Sequence, residues 1–270
     1  MSVRAESAAR NRGSRRCVPL PVWRGPLVSL SELALASRAE PFSAPGWLFE
    51  LKYDGFRVLA AKDKGTVTLR YRSGRDATRA FPEVVEALAA LPARKALLDG
   101  ELVVFRNGTP DFERFRQRAL ADDRRRTRDS ASACLFDLLA LDGNDLRQLP
   151  LVERKAMLRE LLPAAGPLVY VQHVEREGER LLAGARELRL EGVVAKRADS
   201  AYAPGRTGSW LKFKVEETAD FVVIGVADPS KETFGRASLV LATGTNHGLR
   251  YTGRAAIGRN ELEALADVVP

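Results

Sequence analysis

The run Glu50-Leu51-Lys52-Tyr53-Asp54-Gly55-Phe56-Arg57 sets one lysine between two carboxylates, where a short apolar segment meets an Asp-Gly turn, with an arginine five residues beyond the lysine. A lysine acts as a nucleophile only after losing its proton, and burial or neighbouring cations lower its pKa enough for that near neutrality. Period two along a strand sends Glu50 and Lys52 to one face. Taken alone, the same residues also read as a salt-bridged strand end on a surface.

Four further segments carry charge into apolar surroundings. In Leu98-Asp99-Gly100-Glu101-Leu102-Val103-Val104-Phe105 the two acids share a strand face, where they could hold a hydrated divalent cation or a ribose, or simply meet solvent. Glu191-Gly192-Val193-Val194-Ala195-Lys196-Arg197 opens a strand with another acid able to face a metal, while strand periodicity turns Lys196 away from Glu191, so the two are not assigned to one site. In Ser209-Trp210-Leu211-Lys212-Phe213-Lys214 the alternation places both lysines on one face and Leu211 and Phe213 on the other. Paired ammonium groups suit a phosphate, because like charges repel until an anion arrives, although lysines also protect exposed strand edges. Cys134-Leu135-Phe136-Asp137-Leu138-Leu139 offers an aromatic ring that is either core or a platform for a base.

The elements that must position these groups read as mixed and irregular. Short strands are expected at Trp47–Leu51, Phe56–Ala61 and Thr66–Arg72, broken by Asp54-Gly55 and Lys64-Gly65. A helix over Phe81–Leu91 follows from Phe81, Val84, Val85, Leu88 and Leu91, with Pro82 in its first turn. Further strands are expected at Ala96–Phe105, Cys134–Leu139, Leu168–His173, Gly192–Arg197 and Trp210–Val215, and helices at Asp111–Leu120, Leu151–Leu161 and Glu175–Leu188. The absence of regular βα alternation argues for an α+β fold. Past Glu217 three more strands (Phe221–Ala227, Ser238–Ala242, Leu249–Thr252) and a helix at Asn260–Val268 suggest a second domain beginning near Thr218.

With 45% hydrophobic and 29% charged residues, the 270-residue chain has the balance of a soluble protein. No apolar run reaches the roughly 20 residues a membrane helix needs, and a cytoplasmic location is the default expectation. The formal charge of +8 favours a polyanionic partner. Cys17 and Cys134 lie far apart, and the histidines are His173 and His247, so neither a disulfide framework nor a zinc site is expected. Residues 1–25, rich in Arg and Ser, read as a disordered basic arm.

In order and at these spacings, the segments resemble the covalent nucleotidyltransferase superfamily of DNA ligases, RNA ligases and mRNA capping enzymes. Trp47 to Arg57, Arg79-Ala80-Phe81-Pro82-Glu83, and Glu191 to Arg197 running on to Ala201-Tyr202-Ala203-Pro204-Gly205-Arg206 are similar to the ligase domain of bacterial ligase D. The resemblance implies an adenylation domain of antiparallel sheets flanked by helices over 26–217, then a short, incomplete OB-fold barrel over 218–270. It implies that Lys52 takes AMP from ATP, that Asp54 acts in the nick-sealing steps, that Glu50 contacts adenine and Phe136 stacks on it. Arg57, Arg72 and Glu101 would surround the ribose and phosphate, Glu101 and Glu191 would organise a divalent metal, Mg or Mn, and Arg206, Lys212 and Lys214 would grip phosphates. Nicked or broken duplex DNA is the implied partner of a monomeric enzyme, together with other end-joining repair proteins. The family's barrel ends in a basic motif that orients pyrophosphate, and the roughly 50 residues after Glu217 are short for it, so weakened self-adenylation is expected. An RNA ligase, a capping guanylyltransferase and a non-catalytic DNA-end binder share parts of this pattern.

Overall fold

The computed structural model describes residues 32–120, 129–215, 219–227, 237–246 and 248–258. Contacts divide the chain into two compact units, Met1–Val215 and Glu216–Pro270. The described part of the first unit runs β1 (Ser37–Arg38), β2 (Trp47–Lys52), β3 (Phe56–Asp63), β4 (Thr66–Tyr71), α1 (Pro82–Ala89), β5 (Lys95–Arg106), β6 (Thr109–Pro110), α2 (Phe112–Leu120), β7 (Ala131–Leu141), β8 (Asn144–Asp145), α3 (Leu151–Leu161), β9 (Leu168–Tyr170), β10 (His173–Glu175), α4 (Gly178–Glu187), β11 (Gly192–Arg197) and β12 (Trp210–Lys214). The second contains β13 (Val222–Ala227), β14 (Ser238–Thr245) and β15 (Gly248–Ala256). The basic arm, Cys17 and the helix expected at Asn260–Val268 lie outside the described residues.

Two sheets form the first unit. One has the order β4-β3-β5-β7-β8, with β6 added to β5 and β9 to β7; the other has the order β1-β12-β11-β2-β10. Pairing is antiparallel except where β9 joins β7 and β1 joins β12, which makes the fold α+β. The chain leaves one sheet at Lys52 and enters the other at Phe56. The turn between them therefore carries the lysine to the junction of the sheets. Only glycine fits at position 55, because a Cβ there would lie 2.0 Å from the carbonyl oxygen of Leu102 on β5.

Leu168–His173, expected as one strand, is divided between the sheets: β9 follows β7, whereas β10 pairs with β2, His173 facing Glu50. Glu175 is used in that ladder opposite Leu48, so the next helix starts only at Gly178.

Apolar faces hold the layers together. Phe81 just before α1, Val84 and Leu88 of α1, Phe115 of α2 and Leu158 of α3 pack on Val58, Leu69, Leu98 and Leu135 of the first sheet, each large side chain contributing about 1.5–3 kcal/mol on full burial. Leu182 and Ala185 of α4 cover Phe49, Val193 and Phe213 of the second sheet. Leu59, Leu97 and Leu139 meet Tyr202 and Trp210 in a third cluster that joins the sheets. α1 begins with Pro82, whose missing N–H would have had no helical partner. Its far end is closed by buried Lys62, whose Nζ donates to the carbonyls of Ala89 and Leu91 at 2.7 and 2.6 Å, where a cation also complements the helix dipole.

α3 brings two charges into the core. Arg154 and Asp137 are both fully buried and joined by two hydrogen bonds, Nε to Oδ1 at 2.7 Å and Nη2 to Oδ2 at 2.9 Å. Removing one partner strands the other charge away from water. Arg154→Met is therefore expected to lower the unfolding free energy by about 3–5 kcal/mol, measured by urea denaturation; a change within experimental error would show that the pair contributes nothing.

In the second unit β14 lies between β13 and β15, with register shifts at Val223/Gly225 and at Leu241/Ala242. Bulges of this kind twist and bend an antiparallel sheet, so the three strands have the curvature of part of a small barrel.

Candidate active site

A cavity of about 510 Å³ lies between the two sheets of the first unit and is lined, among others, by Glu50, Lys52, Arg57, Arg72, Glu101, Phe136, Arg206 and Lys212. The two charged faces expected from strand alternation, Glu50 with Lys52 and Lys212 with Lys214, are both realised: each pair projects to one side of its strand, while Leu211 and Phe213 turn into the α4 cluster.

At one end, Glu50 is only 2% exposed and sits between two buried lysines. Lys155 of α3 places its Nζ 2.5 Å from Oε1, and Lys196 of β11 places its Nζ 2.5 Å from Oε2. Burial works to raise the Glu50 pKa, but the two ammonium groups outweigh it and hold the carboxyl below its ordinary value. Lys196 shifts the opposite way, lowered by burial and by the charge of Lys155. Its Nζ rests 4.3 Å from the ring centre of Phe136 and 4.2 Å from that of Trp210.

At the other end, Lys52 is hydrogen-bonded to Glu191, which also pairs with Lys214 at 3.3 Å. In the sheet Lys52 stands opposite Gly192, whose φ of +148° and whose approach to the Phe213 carbonyl exclude a side chain. Glu191 is thus carried to the lysine by a glycine-dependent strand entry. Glu101, across the β3–β5 ladder from Arg57, is pushed up to about 8, first by burial and then by the negative fields of Asp99 and Glu191, against the pull of Lys52 and Arg57. Asp54 is likewise raised, by burial and by Glu191. Lys212 is lowered by burial and then by Lys214, Lys52 and Arg206. Lys52, Arg206 and Lys212 line this end of the cavity with Lys214 beside them, an arrangement that an anionic ligand relieves.

Several of these side chains are also tied into the protein. Arg57 lines the wall, yet its donors are committed within the protein: Nε and Nη2 grip Asp99 at 2.9 and 2.6 Å, Nη1 donates to the Ala34 carbonyl at 2.7 Å, and Nη2 also reaches the Tyr202 hydroxyl at 3.3 Å. Asp99 is accordingly not a cation ligand beside Glu101; it is fully buried and neutralised by Arg57, and accepts a further hydrogen bond from Tyr202 at 2.6 Å. Lys196 avoids contact with Glu191 and lines the cavity beside Glu50 instead. Asp54, Glu191 and Lys214 stand beside the cavity, electrostatically coupled to Lys52 or to one another.

Lys155 stands outside every motif of the sequence, and Lys196 and Trp210 lie inside motifs without a site role assigned to them. A signal existed for Lys155: α3 buries Leu151, Arg154, Lys155 and Leu158, an i, i+3, i+4, i+7 stripe in which two of four positions are charged. Charges on a core-facing stripe require buried partners.

For a divalent metal, no cluster of three or more His, Cys, Asp or Glu side chains occurs among the described residues. Glu101 and Glu191, which act on each other electrostatically, offer two carboxylates. That donor set fits Mg²⁺ better than a fully protein-caged ion, since Mg²⁺ keeps several waters and commonly takes substrate phosphates as ligands.

Residues 29–214 match the family model described as ATP dependent DNA ligase domain. The chain belongs to this family. It is 35% identical over 277 residues to the multifunctional non-homologous end joining protein LigD of Pseudomonas aeruginosa, covering 97% of this chain and 32% of that one. It is 40% identical over 185 residues to a probable DNA ligase of Streptomyces coelicolor, covering 65% of this chain and 36% of that protein. This ligase-family chain spans about a third of the length of these curated relatives. Among solved structures it is similar to mycobacterial DNA ligase D complexed with ATP and MES, at 33% identity and a TM-score of 0.60, over 87% of this chain and 76% of that one. A Lig E DNA ligase, 22% identical with a TM-score of 0.64, shares the fold. No described helix of the ligase-family chain is long and apolar enough to cross a membrane.

Proposed function

We propose that this ligase-family chain carries AMP on Lys52 and delivers it to the 5′-phosphate of broken duplex DNA, after which an adjacent 3′-hydroxyl displaces AMP and forms the phosphodiester. The observation that carries this reading is the placement of the Lys52 amine against Glu191, at the end of a nucleotide-sized cavity where Lys212 and Arg206 converge. In the first step a bond forms between Nζ and the α-phosphorus of ATP as the bond to pyrophosphate breaks. The proton that Lys52 must lose has a receiver in the Glu191 carboxylate it already touches. Lys212, Arg206 and Lys214 would neutralise the phosphates, Arg72 would contact the ribose-phosphate end, and Asp54 would serve in the later sealing steps. Glu101 and Glu191 would hold a divalent cation, which when bound supplies charge neutralisation at the phosphates.

In this reading 26–217 is the adenylation domain and 218–270 a partial OB fold, working as a monomer in the bacterial cytoplasm. The net charge of +8 supports a duplex gripped through its phosphates, with binding that weakens as salt rises. The Pseudomonas relative, a non-homologous end joining protein by name, supports end joining as the setting, with other repair proteins as partners.

The test is incubation of the chain with Mg²⁺ and α-labelled ATP or GTP, followed by denaturation and detection of label on the protein, with sealing of a pre-adenylated nick assayed in parallel. Covalent label from ATP and sealing of the nick are expected. Label from GTP instead would point to a capping-type enzyme. Neither label nor sealing at any ATP concentration would overturn the proposal and leave a DNA-end binder.

A further inference from the structure

We infer that Lys155 is a positioning residue for nucleobase choice: held on α3 outside the cavity, it fixes Glu50 as an acceptor-only group, so that the site selects a purine carrying an amine over one carrying a carbonyl at the edge Glu50 reads. The inference rests on the nucleotide-transfer reading above and deepens it.

The geometry separates Lys155 from the groups that can touch a ligand. Glu50, Lys196, Phe136 and Trp210 line the cavity, whereas Lys155 does not. Its side chain is 1% exposed and spends its donors inside the protein, on Glu50 Oε1 at 2.5 Å and on the Val171 carbonyl at 2.9 Å, with its ammonium 4.6 Å from the ring centre of Tyr170. Three contacts, one with β2 and two with the end of β9, thus fix one ammonium, and through it one rotamer of Glu50.

The chemical consequence follows from what a carboxyl group can offer. Ionised, it only accepts hydrogen bonds; protonated, it also donates one. An adenine amine is a donor and satisfies an ionised Glu50, whereas a carbonyl at the same position sets acceptor against acceptor in a buried site, where an unpaired polar group is costly. A carboxyl that is 2% exposed would take up a proton readily if left to burial alone. Lys196 supplies one opposing charge, but its own ammonium is fully buried, lies on the cavity side against two rings and is itself disfavoured by burial. Lys155 is the cation with an independent anchor, the Val171 carbonyl.

The experiment compares covalent labelling of the full chain by ATP and by inosine triphosphate, which carries a carbonyl where adenine carries its amine. Initial rates over a range of nucleotide concentrations give kcat/KM for each. The wild type is expected to prefer ATP by about 10²-fold or more. Lys155→Met is expected to narrow that preference at least about tenfold, mainly through a weaker KM for ATP, while Lys155→Arg, which keeps a cation beside Glu50, retains most of it. Lys155→Gln keeps a donor for Glu50 and Val171 and removes only the charge, so it gives the same reading if the methionine variant does not fold. Equal losses with both nucleotides in a folded variant, leaving the ratio unchanged, would overturn the inference and leave Lys155 a purely structural residue. A wild type that labels equally with both nucleotides would also overturn it, with the transfer reading intact. A wild type that labels with neither defeats the transfer reading itself.

Discussion

Glu50→Gln is expected to lower the unfolding free energy by about 3–5 kcal/mol, because it leaves two buried ammonium groups without their anion. Lys155 and Lys196 are 1% and 2% exposed at their side chains and each stands 2.5 Å from a Glu50 oxygen. The amide has the same shape, so the loss isolates charge from packing. For a chain of this size the melting temperature should fall by about 6–20 °C. The variant should also respond differently to acid. Glu50 has a folded-state pKa below its ordinary 4.5, so the unfolded state binds the extra proton first; the stability it contributes is complete above pH 4.5 and is lost as pH falls through the lower folded value. The wild type should therefore lose stability more steeply than Glu50→Gln below pH 4.5 in urea melts taken at several pH values. Parallel acid limbs and an unchanged midpoint at neutral pH would remove the triad from the account.

Glu101→Gln is expected to separate stability from function in the opposite direction. Glu101 is raised to about 8 by burial and neighbouring carboxylates, so between pH 4.5 and 8 the folded state holds a proton that the unfolded state has released. Stability must then fall as pH rises through that window. The glutamine variant lacks the ionisation and should lose less stability than the wild type as pH rises from 4.5 to 8.5. The same change removes one of the two carboxylates placed to hold a cation near the phosphates, and label transfer should drop by about 10²-fold or more. A variant that loses as much stability as the wild type over that rise in pH, or that labels at the wild-type rate, would contradict the role given to Glu101.

The sequence made the strands of this site readable because their chemistry interrupts strong local patterns. Lys52 and Asp54-Gly55 end an apolar run, Glu101 breaks another, and Leu211 alternates with Lys212, so period two settled which groups share a face. β11 and α3 have the bounds expected from pattern alone. Pairings across long stretches of chain were not readable in that way. Arg57 finds Asp99 because β3 and β5 are neighbours in one sheet, and Lys155 finds Glu50 from a helix more than a hundred residues downstream. Both cations are captured by tertiary contacts that no local periodicity encodes. The division of Leu168–His173 between two sheets has the same origin, since a run of apolar residues does not specify which strand each half will pair with.

The central claim is tested most directly by locating AMP on the chain. After incubation with ATP and Mg²⁺, proteolysis and mass spectrometry under conditions that preserve an acid-labile phosphoramidate should find one AMP on Lys52, and none on the Lys52→Ala chain, whose fold is checked by its unchanged circular dichroism. AMP on another residue, or an adduct that persists when Lys52 is alanine, would contradict the account.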